Sequence, residues 1–150
     1  MISGKLVHLI VSHWDNITDR VWEHANRDPE MAHTRLALGT CFRQSHRELL
    51  ESLNHWLATG DVQTVARHYR HIGRQRLEKD VPLYACIKDL CVLKEELLDF
   101  VEENTFNKDS MMLYAEEELD RRVGRFFDLV MVNMIQGYEE AAMKLLPMPV

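Results

Sequence analysis

Eight histidines are the side chains of this sequence that first suggest a metal or haem site. His68 and His71 are three residues apart, and on a helix this spacing places both rings on one face, where two histidines can share a metal ion. His46 lies at helical spacing with Phe42 and Leu49, which suits an axial haem ligand that faces an apolar cavity. These three histidines are the candidate cofactor ligands. The alternative for each is an ordinary surface histidine or a hydrogen-bonded core histidine.

The surroundings of these histidines argue against a metal. Five cationic side chains lie between Arg67 and Lys79, and their charge repels a metal ion from the histidine pair. The di-iron motif Glu-x-x-His occurs at Glu30 to His33, whereas a di-iron bundle needs two such motifs on separate helices. We therefore expect no metal site and no resident cofactor, with haem as the open alternative.

Catalytic patterns find no support in the sequence. It contains no Gly-x-Ser-x-Gly motif and no glycine-rich phosphate loop. Paired carboxylates occur at Glu95–Glu96, Glu102–Glu103 and Glu116–Glu118, but they fall on the polar faces of amphipathic helices, where charge runs are normally solvated. We expect that the chain is not an enzyme.

A basic stripe is the most distinctive charged feature. Arg67, Arg70 and Arg74 recur at spacings of three and four, so they share one helix face. One interpretation is a surface for an acidic partner. The other is pairing with the carboxylates between Glu95 and Asp120 on the following helices, where each exposed pair contributes about 0–1 kcal/mol.

The elements that must position these residues are all helical. Apolar residues recur at helical spacing almost throughout, and only six glycines and four prolines provide turns, which disfavours sandwiches and barrels. The pattern predicts a bundle of five to six helices with a long C-terminal helix. The predicted segments are 4–25, a second one starting at Asp28 and interrupted at Gly39–Thr40, one that ends at Gly60, 61–80, 82–103, a loop at 104–107, and 109–145.

Pro82 marks the sharpest boundary between predicted helices. Proline is favourable in the first turn of a helix and disruptive further in, so one helix ends near Asp80 and another begins at Pro82. Gly60 suits a left-handed C-terminal cap, and Asp61 can cap the next helix at once. In that next helix, the predicted inward positions are Val62, Val65, Tyr69 and Ile72.

The last helix carries an apolar stripe along most of its length. About 37 residues at ~1.5 Å each give a rod of about 55 Å, longer than a domain of this size is wide. We therefore predict a homodimer in which a second copy covers this helix, because exposed apolar patches usually mark partner surfaces. The alternative is a kink at Gly124 or Gly137 that folds the helix onto its own core. The predicted interface residues are Phe127, Val130, Met134 and Tyr138.

The composition sets the remaining bounds. A chain of 150 residues is expected to form one domain, residues 1–150. Its net charge of −6 gives no general attraction to nucleic acid or anionic membrane, and no apolar run approaches a membrane span. Three cysteines without a Cys-x-x-Cys motif are typical of reduced thiols, so we expect a cytoplasmic protein.

The stretch from His68 to Val101 resembles the N-terminal sensor domain family of RsbRD-type proteins, co-antagonists of the RsbT kinase in bacterial stress-signalling complexes. The resemblance rests on Gly73 to Arg76, on Val81 to Leu83, and on the apolar spacing that follows. More weakly, Trp14 and Arg47 to Leu50 fit the same layout. The apolar spacing comprises Ile87, Leu90, Leu93 and Leu97.

This resemblance implies an all-helical domain that pairs as a dimer and passes a signal through its C-terminal helix. It implies globin-like packing, whereas the residues alone leave a plain antiparallel bundle equally open. The best-known relatives lack haem. The family usually continues into a STAS domain that carries the phosphorylation sites, and this sequence stops at Val150, so it is either a free-standing relative or a fragment.

The leading functional hypothesis is thus a non-catalytic cytoplasmic sensor or protein-interaction domain, acting as a homodimer, with a protein partner in a signalling complex. A haem- or metal-binding helical sensor is the alternative, and a small enzyme is the remote one.

Overall fold

The computed structural model describes residues 4–39, 41–105 and 109–146. Over these residues it has seven α-helices and no strand, which confirms the all-α prediction and the long C-terminal helix. No helix in these ranges is long and apolar enough to cross a membrane. The helices are α1 Gly4–Ser12, α2 Trp14–Arg27, α3 Ala32–Leu38, α4 Cys41–Thr59, α5 Val62–Glu78, α6 Leu83–Glu103 and α7 Ser110–Lys144, with a 3-10 turn at Pro29–Met31.

The predicted first helix, 4–25, is wrong in one respect, because it is two helices. His13 leaves the helical conformation, with φ −119° and ψ 28°. Its ring nitrogen Nδ1 lies 3.0 Å from the carbonyl oxygen of Leu9, the group that an amide N–H would normally bind. This side-chain contact stabilises a break that the apolar spacing does not reveal.

Side-chain caps begin the helices where the sequence predicts them. The Asp28 carboxylate accepts a hydrogen bond from the Glu30 amide at 3.0 Å, and Pro29 opens the 3-10 turn. The Asp61 carboxylate accepts from the Thr64 amide at 3.1 Å and begins α5. The predicted interruption is confirmed at Gly39, while Thr40, Phe106 and Asn107 lie outside the described residues.

The joint before Pro82 contains a left-handed residue that is not a glycine. Asp80 has φ +57°, its amide donates to the Leu77 carbonyl, and the Val81 amide donates to the Arg76 carbonyl at 2.9 Å. These two bonds form a Schellman motif, and Val81, which follows the left-handed residue, is buried. Pro82 then precedes α6, so the predicted joint is confirmed.

Helices that are distant in sequence pack together. The most extensive contact joins α5 to α7, and α2 packs on α6 and α4. The chain neighbours α6 and α7 also pack together, whereas the contact of α5 with its neighbours α4 and α6 is small. One apolar core lies between the helices. Val65 and Tyr69 face this core and Ile72 packs at its edge, but Val62 is half exposed, which corrects its predicted inward position. As the first residue of α5, Val62 lies at the rim.

Two glycines bring α5 and α7 to backbone contact. A Cβ atom at Gly73 would lie 2.1 Å from the Met134 carbonyl oxygen, and a Cβ atom at Gly137 would lie 1.9 Å from the Arg70 carbonyl oxygen. No side chain fits at either point, so the crossing requires glycine on both helices. The two helices run parallel, because Arg70 reaches Gln136 and Arg74 reaches Glu140 further along α7.

Candidate functional site

A chain of three buried polar side chains links α2, α4 and α6. Nδ1 of His46 lies 2.8 Å from the Thr18 hydroxyl, and Nε2 lies 3.0 and 3.1 Å from the two Asp89 carboxylate oxygens. Thr18 and His46 are at most 1 % exposed, and Asp89 is 6 % exposed. The rings of His46 and Phe42 meet in a T-shaped arrangement, with centroids 4.2 Å apart. This polar network lies within the core.

The partners of His46 fix its tautomer. A carboxylate only accepts hydrogen bonds, so Nε2 carries a proton and donates it to Asp89. In the neutral ring Nδ1 then accepts from the Thr18 hydroxyl. A buried carboxylate is costly unless it is hydrogen-bonded, and His46 is the donor that Asp89 has among the described residues. The histidine therefore stabilises a charge inside the fold.

Hydroxyl, imidazole and carboxylate also form the constellation of nucleophilic hydrolysis. Such a nucleophile must be reachable by substrate. The Thr18 side chain is wholly buried, so it has no substrate-facing side. The geometry therefore favours a structural or ligand-positioning role for this network.

A cavity of about 190 Å³ lies beside the network, between α4, α5, α6 and α7. His46 and Asp89 form part of its wall, together with Tyr69 and Arg76 of α5 and Met134 of α7. The rest of the wall is a mixture of apolar and polar side chains. The apolar set is Leu49, Ile72, Val81, Leu90, Leu93 and Met134, and the polar set includes Gln44, Ser45, Glu48, His68, Gln75 and Lys79.

Arg76 lies on the wall of this cavity and uses few of its hydrogen-bond donors. One of its terminal nitrogens donates to the Ser45 hydroxyl at 3.0 Å, and no ion pair joins it to a carboxylate in the part of the chain that the structure describes. Burial raises the pKa of the Tyr69 phenol well above its usual range, although a hydrogen bond with Ser52 opposes the shift. Burial also raises the pKa of the Cys86 thiol to about 11, partly offset by Arg76, so this thiol is protonated and unreactive.

The three candidate cofactor histidines do not share one site, because His46 and His68 line the cavity whereas His71 lines the open groove with His68. Both ring nitrogens of His46 are engaged by Thr18 and Asp89, which leaves none free for iron and makes His46 unsuitable as a haem ligand in this arrangement. His68 is exposed with its ring edge against Tyr69, and an exposed ring nitrogen of His71 lies 3.2 Å from the Gln75 amide nitrogen. Among the described residues, no three His, Cys, Asp or Glu side chains form a group that could hold a metal.

The basic stripe lines an open groove along α5. Arg67 is exposed, whereas Arg70 donates to Gln136 at 3.0 Å and to Asn133 at 3.3 Å, and Arg74 pairs with Glu140 at 3.3 Å. Arg74 thus pairs with a carboxylate of the last helix, as the second interpretation expects, but outside the range 95–120, whereas Arg70 bonds amide oxygens and, among the described residues, no carboxylate of that range. Their partners lie further along α7, because the glycine contacts place its C-terminal half beside α5.

The four predicted dimer-interface residues lie inside the chain. Phe127 and Val130 are fully buried and Met134 is 4 % exposed in the single chain. Tyr138 is partly buried, and its hydroxyl donates to the Val81 carbonyl at 2.7 Å. This corrects the assignment, because the core of the same chain, rather than a second copy, covers Phe127, Val130 and Met134. Burial of the stripe by the chain's own core is what the alternative predicted, and α7 stays helical through Gly124 and Gly137.

Comparison with protein-family models, curated proteins and solved structures finds no match.

The key residues that sequence reasoning missed were Thr18, Asp89 and Arg76. Asp89 does carry a signal, because it follows Cys86 by three positions and precedes Leu93 by four, which puts a carboxylate on the apolar face of α6. A charged residue in a core position is costly unless it has a partner. Arg76 has no such signal, since it belongs to a run of cations.

Proposed function

We propose that this chain is a non-catalytic, cytoplasmic sensor domain of the RsbRD N-terminal type, in which a small ligand in the cavity acts on α7. The observation that carries the proposal is the wall of this cavity. His46 and Asp89 belong to the buried network, Tyr69 belongs to α5, and Met134 belongs to α7 at its closest approach to α5. A molecule in this space contacts the helices whose packing is tightest.

The backbone contact between α5 and α7 supports the transmission of a structural change from the cavity to α7. Packed interfaces shift between discrete arrangements rather than deform continuously. Met134 is the residue whose carbonyl oxygen faces Gly73, so a change at the cavity reaches the backbone contact directly. The pairing of α5 with α7 and of α2 with α6, beside that of the chain neighbours α6 and α7, also supports globin-like packing over a bundle in which only chain neighbours pack.

A homodimer remains part of the proposal, through a different face of α7. Tyr114 and Val132 are 78 % and 61 % exposed, and they lie eighteen residues apart, which is five helical turns. Met143, eleven residues beyond Val132, falls on the same face and is 70 % exposed. Sedimentation of wild type and Val132→Glu tests this: we expect a dimer that the variant weakens. A monomer at micromolar concentration contradicts it.

The sensor proposal is tested by filling the cavity. Leu90→Trp places a larger side chain at the cavity, and Leu36→Trp adds the same side chain at a position that is 84 % exposed on α3. We expect Leu90→Trp, folded by circular dichroism, to change amide hydrogen exchange in residues 127–144 severalfold, while Leu36→Trp leaves it unchanged. Equal exchange in both variants contradicts the proposal. Turnover of a substrate that a single polar substitution abolishes contradicts its non-catalytic part.

A further inference from the structure

The cavity between α4, α5, α6 and α7 has opposite charges on its wall, and both have few hydrogen-bond partners. Asp89 can accept about four hydrogen bonds as a carboxylate. Within the described residues it receives one donor group, Nε2 of His46. Arg76 has five N–H donors. Of these, one is matched to the Ser45 hydroxyl, and no carboxylate among the described residues pairs with it.

We propose that this cavity binds a small zwitterion of amino-acid size, whose ammonium group donates to Asp89 and whose carboxylate accepts from Arg76. A guanidinium binds a carboxylate through two parallel hydrogen bonds, a geometry that Ser45 leaves room for by using one terminal nitrogen. An ammonium group supplies the donors that Asp89 lacks. This inference rests on the proposed function, since it names the ligand class of the same cavity.

The size and lining of the cavity select the rest of the molecule. Its volume of about 190 Å³ exceeds the ~150 Å³ of an engineered cavity that holds benzene, so a ligand of eight or nine heavy atoms is reasonable. Leu90, Leu93 and Met134 line the cavity with apolar surface, which suits a short aliphatic side chain. A purely anionic or purely cationic ligand would leave one of the two wall charges without a partner, at a cost.

The other charged groups at the cavity are Glu48 and Lys79, with His68 as a further titratable group. Glu48 and Lys79 are exposed, so solvent and salt screen their charges. Arg76 and Asp89 are less exposed than either, and at partly desolvated positions charge has a larger effect. Selection between ligands therefore depends on this inner pair.

Calorimetric titration with three matched probes tests the ligand class. Valine carries both charges, 3-methylbutanoate lacks only its ammonium group, and isobutylamine lacks only its carboxylate. We expect saturable valine binding, at least tenfold tighter than that of either analogue, because each lost charge-assisted hydrogen bond costs at least that factor. Equal binding of 3-methylbutanoate and valine overturns the inference, and so does the absence of valine binding at millimolar concentration.

Two variants then locate the site. Arg76→Gln is expected to weaken valine binding at least tenfold, while Arg67→Gln, which changes an exposed arginine of α5 that does not line the cavity, leaves it unchanged. A substitution of Asp89 would also remove the partner of His46 in the core. Arg76→Gln is therefore the variant that decides whether the ligand binds at this site. Unchanged binding in Arg76→Gln overturns the inference.

The proposal of the ligand class and the proposal of a sensor function can be contradicted independently of each other. If Leu90→Trp alters exchange in α7 but valine does not bind, the zwitterion is wrong and the sensor function stands. If valine binds and Arg76→Gln abolishes binding, yet neither valine nor Leu90→Trp alters exchange in α7, the binding site stands and the sensor function falls.

Discussion

Gly73→Ala tests the α5–α7 crossing with a single methyl group. The added Cβ atom would lie 2.1 Å from the Met134 carbonyl oxygen, 2.9 Å from its carbonyl carbon and 3.0 Å from the Tyr138 amide nitrogen. All three are backbone atoms, so no side-chain rotation relieves the clash. A carbon–oxygen contact needs about 3.3 Å, so the helices must separate by roughly 1.2 Å.

The size of the effect follows from two opposing contributions. Overpacking in a well-packed core costs up to about 3 kcal/mol, and replacing glycine by alanine within a helix returns about 1 kcal/mol. We therefore expect Gly73→Ala to lower the free energy of unfolding by about 2 kcal/mol. Gly137→Ala should act in the same direction, since its Cβ atom would lie 1.9 Å from the Arg70 carbonyl oxygen.

Gly124 provides the matched control within α7. A Cβ atom there meets nothing within 4 Å, so Gly124→Ala gains the helix contribution alone and should stabilise by about 0.5–1 kcal/mol. Urea unfolding followed by circular dichroism and tryptophan fluorescence measures all three variants. If Gly73→Ala is as stable as Gly124→Ala, the two helices do not touch at the backbone and the reasoning is refuted.

Three further predictions concern single side chains. His46→Ala should lower the free energy of unfolding by about 3–5 kcal/mol, because it leaves Asp89 buried without a donor. Thr18→Val should lower it by only about 1–2 kcal/mol. Similar urea midpoints for both variants would contradict the proposed network. Asp61→Ala should lower the thermal midpoint at neutral pH. The hydrogen bonds from Thr64 lower the pKa of Asp61, so the stabilisation by Asp61 is present above the ordinary aspartate pKa and is lost as the pH falls through the lowered value. A difference between wild type and variant that persists in strong acid would argue against the cap. Iodoacetamide at pH 8 should label the exposed Cys91 in the folded protein and should label Cys86 only after unfolding, because burial raises the pKa of Cys86 to about 11. Peptide mass spectrometry that shows early labelling of Cys86 would count against its burial.

Local signals predicted most of the helix boundaries. Gly60, Asp61 and Pro82 act within a few residues of the chain, through backbone conformation and a short side-chain hydrogen bond. The helix end near Asp80 was predicted from Pro82, but the left-handed conformation of Asp80 was not, because aspartate is only an occasional left-handed residue. The break at His13 escaped because it depends on a ring hydrogen bond rather than on a glycine or proline.

The sequence pattern does not identify which residues of different helices contact each other. Periodicity identifies the buried face of α7 correctly at Phe127, Val130 and Met134, but it does not say which helix covers that face. His46 was correctly placed toward the interior, and its partners Thr18 and Asp89 are 28 and 43 residues away in the chain. Contacts at such separations follow from tertiary packing, which a single sequence does not reveal.

The two glycines also fix the axial position of α7. A slide by one helical turn, about 5.4 Å, would bring Asn133 or Ala141 to the place of Gly137, opposite the Arg70 carbonyl. Both residues carry a Cβ atom, which that gap does not admit. Piston-like movement is thereby blocked, so α7 can respond to events elsewhere in the fold only by tilting, rotating or lifting away from α5.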